Sequence, residues 1–363
     1  MIMYLKKINL LYLIVLILVC NPITGFTKDK AYLLDSSTHS ALIEVHKDME
    51  EGNNAVALNK LKKLASSDKL KDYDAAVVYQ TMGYAENGLT NFKNALNSFI
   101  KALSYNALPE DVTHQLTFST AQLLIHLDNP KEGLKYLSKW FANEKSPKAD
   151  AHILAATAYY YLENYKQLVV HAEKAIAMTS KPPLNWYELL LAAYFETKTY
   201  EKAAPLLEKI IIKNPNKTDY WLQLAGTYQL LKQEKKALAV YELAYTKQLL
   251  DKNDIIQMVK NQLYFDMPYK AATVLEKEMA IGDIEPDKKM LTLLADAWIM
   301  AKENNKAVSV LLEIVKKFND DKTRLRLAQL YIEAEKWEQV INTLDVTFKT
   351  NDIQTMVDEI IKC

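Results

Sequence analysis

The residues of this sequence that could do acid–base or metal chemistry are few and widely spaced. No two histidines have the four-residue spacing of the H-E-x-x-H motif, which places two zinc ligands on one helix face. A zinc site would have to be assembled from distant parts of the chain, so exposed or core-edge histidines are the simpler interpretation. The six histidines are His39, His46, His114, His126, His152 and His171.

Other catalytic motifs are also missing from the sequence. The seven glycines are too scattered to form a loop whose backbone amides could cradle a phosphate, and no G-x-S-x-G nucleophile motif occurs. The carboxylate pairs Glu50–Glu51 and Asp320–Asp321 are predicted at helix ends, where solvated caps are expected. We therefore predict no catalytic residue, no cofactor and no metal, and the protein is not expected to be an enzyme.

The charge balance argues against a nucleic-acid partner. Lysine plus arginine equals aspartate plus glutamate at 45 each, and Arg324 and Arg326 are the only arginines. A protein that grips phosphates and reads bases normally carries a basic surface with arginine side chains.

An internal repeat fills Leu184 to Asp251. When the second half is laid over the first with a shift of 34 residues, aromatic residues fall on aromatic residues and alanine falls on alanine. The aligned pairs are Tyr187 with Trp221, Leu190 with Leu224, Tyr194 with Tyr228, and Ala203 with Ala237.

Each copy of the repeat predicts two helices joined by a short polar turn. Positions 4, 7, 8 and 11 form one apolar stripe, and positions 20, 24 and 27 form a second. Small residues such as Ala225 and Ala237 allow the two helices to approach closely, while the aromatic residues fill the space between neighbouring pairs. One pair cannot bury both stripes, so we expect stacked pairs that form a solenoid.

The pattern W/Y-x2-L-[G/A]-x2-Y, followed by A-x3-[F/Y]-x2-A and often a proline such as Pro215, resembles the tetratricopeptide repeat family. The resemblance implies an all-α, right-handed α-solenoid of about nine helix pairs with a C-terminal capping helix. Copies start at residues 38, 76, 114, 149, 184, 218, 252, 288 and 321.

The predicted domain organisation begins with a signal peptide at residues 1–25, because Lys6 and Lys7 precede the apolar run Ile8–Val19. A lead-in at 26–37, the solenoid at 38–350 with a bend near 104–112, and the capping helix at 351–363 follow. These features predict a periplasmic protein with no integral membrane segment in the mature chain.

Lipidation at Cys20 is the alternative to cleavage of the leader, although Val19 is larger than the residue that lipoprotein signals prefer there. Cys363 is then the last remaining thiol. It could form an intermolecular bridge, and a terminal cysteine without a role is the simpler interpretation.

The family resemblance also implies a binding site. In such solenoids the first helix of each pair lines a concave groove, and repeat positions 2, 5, 9, 12 and 13 face it. Aromatic and polar residues at these positions suit an extended or helical peptide, whereas the alternative is that the tyrosines belong to the core. The predicted groove residues are Phe118, Gln122, Thr157, Tyr160, Tyr161, Glu188, Phe195, Gln229, Lys260 and Tyr264.

The lysine and asparagine side chains with which the family clamps acidic chaperone tails are absent from the matching positions, so that ligand is not expected. The residues at two of these matching positions are, for example, Gln80 and Tyr84.

A narrower resemblance covers Leu184 to Met279, with the phrases NWYELLLAAYFETKTYEKAAPLLEKI, DYWLQLAGTYQLLKQEKKALAVYELAY and MPYKAATVLEKEM. These segments resemble the periplasmic repeat proteins that accompany TonB, ExbB and ExbD in uptake across the outer membrane. The resemblance implies a non-enzymatic scaffold that binds TonB, an Exb subunit or a related envelope protein. Two alternatives remain open. One is an envelope-assembly factor that acts on outer-membrane or cell-wall components, with or without a lipid anchor at Cys20. The other is a metal-assisted hydrolase that uses histidines from several repeats.

Overall fold

A computed structural model describes residues 32–68, 70–345 and 357, and every regular element in these residues is an α-helix. The helices alternate with short turns. They are α1 Ser36–Glu50, α2 Asn54–Ala65, α3 Asp72–Gly88, α4 Phe92–Ser104, α5 Glu110–His126, α6 Pro130–Asn143, α7 Ala149–Tyr161, α8 Tyr165–Ala177, α9 Leu184–Glu196, α10 Tyr200–Lys213, α11 Thr218–Leu230, α12 Glu234–Thr246, α13 Lys252–Tyr264, α14 Pro268–Ala280, α15 Lys288–Met300, α16 Asn304–Phe318, α17 Asp321–Glu333 and α18 Trp337–Leu344.

The helices form nine consecutive pairs in the described residues. Apart from α10, which is divided between two units of the chain, each helix packs mainly on its neighbours in the chain. We call the odd-numbered helices the first helices and the even-numbered helices the second helices. Successive first helices start 33 to 39 residues apart. This arrangement confirms the predicted all-α solenoid of helix pairs.

The contacts divide the chain into two compact units, residues 1–206 (unit 1) and residues 207–363 (unit 2). Unit 1 contains α1 to α9 and the start of α10, and unit 2 contains the rest of α10 and α11 to α18. Each unit has buried apolar side chains of its own, including Phe99 and Leu116 in unit 1 and Trp298 and Leu311 in unit 2. The predicted bend near 104–112 stays a prediction.

The repeat pattern located the first helices well in the last six repeats and less well in the first three. The predicted starts at 149, 184, 218, 252, 288 and 321 are the observed starts of α7 to α17, whereas the starts at 38, 76 and 114 are late by two to four residues. The helices α3 and α5 are 17 residues long, against 13 for α7. Their additional N-terminal turn lies outside the repeat template, which explains the offset.

Several first helices begin with an aspartate cap, as predicted for Asp320. Its carboxylate accepts a hydrogen bond from the backbone N–H of Thr323 at 3.1 Å, and the Asp287 carboxylate accepts one from the N–H of Met290 at 2.8 Å. These bonds satisfy amides that have no partner inside the helix. The aspartate caps therefore stabilise the starts of α13, α15 and α17.

The turn inside each pair has the same backbone shape throughout the described repeats. Its middle residue has a positive φ, and the following N–H bonds to a carbonyl five residues earlier, as from Asn164 to Tyr159 at 2.9 Å and from Thr199 to Tyr194 at 2.8 Å. This is the hydrogen bond that closes a helix through a left-handed residue. The middle residues are Gly52, Thr90, Asp128, Glu163, Lys198, Lys232, Asp266, Lys302 and Glu335.

Close packing of the two helices in a pair depends on small residues, as the sequence predicts. A Cβ atom added to Gly83 of α3 would lie 2.4 Å from the ring of Phe99 and 3.2 Å from the carbonyl oxygen of Ala95, both on α4. No real Cβ atom has a neighbour at 2.4 Å, so the ring occupies the space that a side chain at position 83 would need.

A tyrosine hydroxyl joins neighbouring repeats in unit 1. The hydroxyl of Tyr194 on α9 donates to the Glu173 carboxylate on α8 at 2.5 Å, and Lys202 lies 2.8 Å from the same carboxylate with its ammonium 5.8 Å from the tyrosine ring centroid. Burial and the bond to Glu173 raise the pKa of Tyr194. One side chain therefore fills the interface with its ring and satisfies its polar end there.

The same arrangement recurs in unit 2. The hydroxyl of Tyr228 donates to Glu208, and Lys236 lies over the ring at 5.2 Å from its centroid. One repeat further, Gln262 takes the place of the tyrosine and donates to Glu242 at 3.0 Å, which also pairs with Lys270 at 2.6 Å. We call these groups the inter-repeat triads: they are Tyr194–Glu173–Lys202, Tyr228–Glu208–Lys236 and Gln262–Glu242–Lys270.

Several predicted features lie outside the described residues. They are the signal peptide at 1–25, the first half of the lead-in at 26–37, Cys20, Cys363 and almost all of the predicted capping helix. Val357 alone of residues 346–363 is described; it is helical and fully buried. Within the described part of the chain, no helix is long and apolar enough to cross a membrane.

Candidate protein-binding face

Three first helices of unit 1 lie side by side. The helix α5 contacts α7, and α7 contacts α9, so the three form a continuous row. A second helix returns the chain between each pair, which makes the row parallel and brings the C-terminal ends of the three helices to one edge. We call α5, α7 and α9 the acidic row, for the charges described below.

Aromatic side chains gather at this edge. The ring centroid of Tyr160 lies 6.1 Å from that of Tyr161 and 6.5 Å from that of Tyr165, and Phe195 lies 6.2 Å from Tyr200. Tyr161 has 46% of its surface exposed. We call these five residues the aromatic edge, and it includes three of the predicted groove residues, Tyr160, Tyr161 and Phe195.

Carboxylates flank the aromatic edge. Burial raises the pKa of Tyr161, and the charge of Asp128 in the preceding turn adds to the rise. Burial likewise raises the pKa of Tyr165, with further contributions from Glu196 and Glu163. The edge therefore combines ring faces with negative charge from three successive repeats.

Other predicted groove residues of unit 1 are less accessible. Thr157 is buried, with 4% of its surface exposed, and its hydroxyl oxygen has no hydrogen-bond partner among the described residues. Phe118 is half-buried and packs on Trp140 at 4.7 Å between ring centroids. Gln122 and Glu188 are also half-buried. Tyr160 and Phe195 are half-buried to a similar degree, so Tyr161 is the one exposed residue among the predicted groove residues of unit 1.

The predicted groove residue Lys260 of unit 2 lies in a depression whose lining is rich in lysine. This residue lines a shallow depression of about 430 Å³ between α13 and α15, together with Lys288, Lys289 and Asp296. Lys288 pairs with Asp320 at 2.7 Å, and Arg326 pairs with Asp296. Within the described residues no ion pair is found for Lys260.

The two remaining predicted residues are on the surface of unit 2. Gln229 is exposed near the end of α11. Tyr264 ends α13 with 75% of its surface exposed, and its ring lies 5.1 Å from that of Phe265. The structure does not bring Gln229 into the depression around Lys260. Apart from Lys260 itself, all of the residues that line this depression belong to α15.

A histidine pair inside unit 1 was not predicted. The Nδ1 atoms of His152 on α7 and His171 on α8 lie 3.0 Å apart, and Phe141 of α6 packs against both rings. Only 4% of the His152 surface is exposed, and its Nε2 has no hydrogen-bond partner among the described residues. The residues are 19 apart in sequence, a spacing that joins the two helices of one pair and could have been recognised.

Burial governs the protonation of this pair. It lowers the pKa of His152 to about 4, with further lowering from the charges of Lys174 and His171. Burial and Lys174 also lower the pKa of His171. The pair is neutral at pH 7, and no group of three histidine, cysteine, aspartate or glutamate side chains able to hold a metal ion occurs in the described part of the chain.

No protein-family model and no curated protein sequence matches the chain. Several solved structures with a similar fold are described as tetratricopeptide repeat proteins. One from Parabacteroides merdae is 16% identical over 72% of this chain and 99% of its own, with a TM-score of 0.42. The C-terminal part of a repeat protein from Cytophaga hutchinsonii is 17% identical over 69% and 98%, with a TM-score of 0.44. YrrB, described as having an unusual peptide-binding site, is 15% identical over 51% and 90%, with a TM-score of 0.41.

Proposed function

We propose that this chain is a non-enzymatic periplasmic scaffold that binds a segment of an envelope protein on the first-helix face of its repeats. The partner we propose is TonB, ExbB, ExbD or a related protein of a TonB-type energy transduction system. The resemblance of Leu184 to Met279 to the periplasmic repeat proteins of such systems supports the choice of partner.

The observation that carries the binding function is the aromatic edge of unit 1. Tyr161 is exposed and the other four rings are half-buried, and a cluster of aromatic rings left partly open to solvent is typical of an interaction site. The rings of Tyr160, Tyr161 and Phe195 lie at the ends of packed helices rather than in long loops. A segment that binds there meets a preformed surface, so little ordering entropy is lost on the side of the scaffold.

A photoreactive amino acid at Phe195 tests the proposal in living cells. We expect light-dependent capture of TonB or an Exb subunit, identified by mass spectrometry. The matched control is Val170, which has 57% of its surface exposed on the second helix α8 and should capture neither protein. Capture from Val170 with nothing from Phe195 would contradict binding on the first-helix face.

Cell fractionation tests the location separately. A cleaved leader predicts a periplasmic protein whose mature N-terminus lies near residue 26, measurable by mass spectrometry of the intact chain. A chain that stays with membranes after a salt wash and carries lipid on Cys20 would favour the envelope-assembly factor instead.

A further inference from the structure

From α5 to α9, every lysine that lies within a helix is on a second helix, whereas α1 at the start of unit 1 carries Lys47. The helices α5, α7 and α9 contain neither lysine nor arginine. Their second-helix neighbours α6 and α8 carry Lys131, Lys135, Lys139, Lys166 and Lys174. The carboxylates of the acidic row are Glu110, Asp111, Asp150, Glu188 and Glu196.

Most of these carboxylates are accessible. Glu110, Asp111, Asp150 and Glu196 are exposed, and Glu188 is half-buried. None of the four exposed carboxylates forms an ion pair within the described residues. Their negative charge is therefore available to a partner rather than neutralised by a neighbouring side chain.

The aromatic edge lies at one end of this acidic surface. Asp128 and Glu163 are the middle residues of the turns that follow α5 and α7, and Glu196 is the last residue of α9. The nearest lysines in sequence are Lys166, near the start of α8, Lys198, in the turn after α9, and Lys202 on α10. Lys202 is paired with Glu173 at 2.8 Å.

The first helices of unit 2 differ among themselves. The helix α11 also lacks lysine and arginine, whereas α13, α15 and α17 carry Lys252, Lys260, Lys288, Lys289, Lys322, Arg324 and Arg326. A repeat of this kind therefore also folds with cations on its first helix. Glu110, Asp111 and Asp150 lie in the first turns of α5 and α7, where a carboxylate complements the helix dipole as well.

We propose that the acidic row and the aromatic edge bind a protein segment that carries several lysine or arginine side chains. Carboxylates attract such a segment and fix its register, and tyrosine ring faces hold ammonium or guanidinium groups that lose part of their hydration. This inference rests on the proposed binding function and adds the chemical class of the partner.

Three synthetic peptides of equal length test the charge preference against the full mature chain. They carry arginine, glutamine or glutamate at the same positions, and their affinities are measured by fluorescence anisotropy. We expect the arginine peptide to bind at least about tenfold more tightly than the glutamine peptide, and its affinity to fall several-fold between about 50 mM and about 300 mM salt. Equal affinities, or tighter binding of the glutamate peptide, would overturn the inference.

Two variants test the location of binding. The double variant Asp128→Asn with Glu196→Gln removes two charges beside the aromatic edge, and asparagine tolerates the left-handed backbone of position 128. We expect it to weaken binding of the arginine peptide by about three- to tenfold. The control Glu132→Gln removes one charge on α6 and should leave the affinity unchanged. Equal losses in both proteins would place the binding elsewhere, and circular dichroism checks that each is folded.

The outcomes separate this inference from the proposed function. Capture of an envelope protein at Phe195 together with no preference for the arginine peptide would overturn the charge preference alone. Absence of both capture and peptide binding would overturn the binding function and the charge preference together.

Discussion

The polar contacts of single residues explain how neighbouring repeats are held in register. In each inter-repeat triad a side chain from a first helix bonds to a glutamate of the preceding second helix, and a lysine of the same repeat lies against that side chain or the glutamate. The repeat pattern predicted the aromatic ring between pairs, but it did not predict the hydroxyl bond. Helical periodicity describes burial and contains no information on which polar atoms meet across an interface.

Tyr228→Phe tests one triad. Burial and the Glu208 carboxylate raise the pKa of Tyr228 to about 12, which agrees with a hydroxyl that keeps its proton and donates it. Removal of the hydroxyl should lower the free energy of unfolding by about 1 kcal/mol. Tyr264→Phe, at an exposed ring, should change it by less than about 0.5 kcal/mol. Urea titrations measure both, and equal effects would show that the triad contributes nothing.

The histidine pair predicts how the stability of unit 1 depends on pH. The folded chain holds the pKa of His152 near 4, whereas an unfolded histidine has a pKa of about 6.5. Between these values the unfolded chain binds more protons, so stability is full above pH 6.5 and falls as the pH drops towards 4. We expect a loss of about 3 kcal/mol over this window, measured by thermal melts at successive pH values.

A substitution at His152 tests whether the histidine pair causes this pH dependence. His152→Gln should flatten the pH dependence between 4 and 6.5, since the group that takes up the proton is gone. His39→Gln, at an exposed position, should leave the dependence as it is in the parent protein. A parent protein whose stability is constant from pH 6.5 to 4 would contradict the prediction.

Helix pairs show which parts of the fold can be predicted from sequence. Small and aromatic residues at fixed spacing identify the pairs because close approach allows little choice of side chain, as at Gly83 and Phe99. Helix starts were wrong by up to four residues in the first repeats, where α3 and α5 have an additional turn. A turn added before the first apolar residue leaves the repeat pattern unchanged, so the pattern cannot reveal it.

Gly83→Ala tests the close approach of α3 and α4. The added methyl group would force the Phe99 ring to move, and we expect the free energy of unfolding to fall by about 1–3 kcal/mol. The helix propensity of alanine acts in the opposite direction by about 1 kcal/mol. Gly83→Ala combined with Phe99→Leu should recover part of the loss in a double-mutant cycle. A stabilised single variant would show that the ring yields freely.

The candidate site was only partly predictable at the same scale. Of the residues at repeat positions 12 and 13, Tyr161 is exposed and Tyr160 and Phe195 are half-buried, whereas position 9 of α7 is the buried Thr157, so their role in binding stays a prediction. Whether a residue midway along a first helix faces solvent depends on how closely the next helix approaches. That distance is set by side chains on other repeats, which a single-repeat template does not include.

At the scale of the whole molecule, stability should vary along the chain. A solenoid is held together by contacts between neighbouring repeats. We therefore expect a repeat with one described neighbour to have a lower local stability than a repeat with two. The pair α1–α2 contacts α3, whereas α7 and α8 have packed helices on both sides.

Hydrogen exchange followed by mass spectrometry checks this gradient. We expect amides of α1 and α2 to exchange at least about tenfold faster than those of α7 and α8. Exchange of all helices of unit 1 at one common rate would instead indicate a single cooperative unit.

The left-handed turn inside each pair has a consequence for how such a gene can change. Its shape recurs from Gly52 to Glu335 with different residues at its centre, and its closing hydrogen bonds join main-chain atoms. Unequal recombination between two copies of the repeat at this turn would join a first helix of one copy to a second helix of another. The joining turn would keep the backbone conformation that all of these turns share. The number of repeats can therefore grow or shrink by whole units over generations without any new junction having to arise.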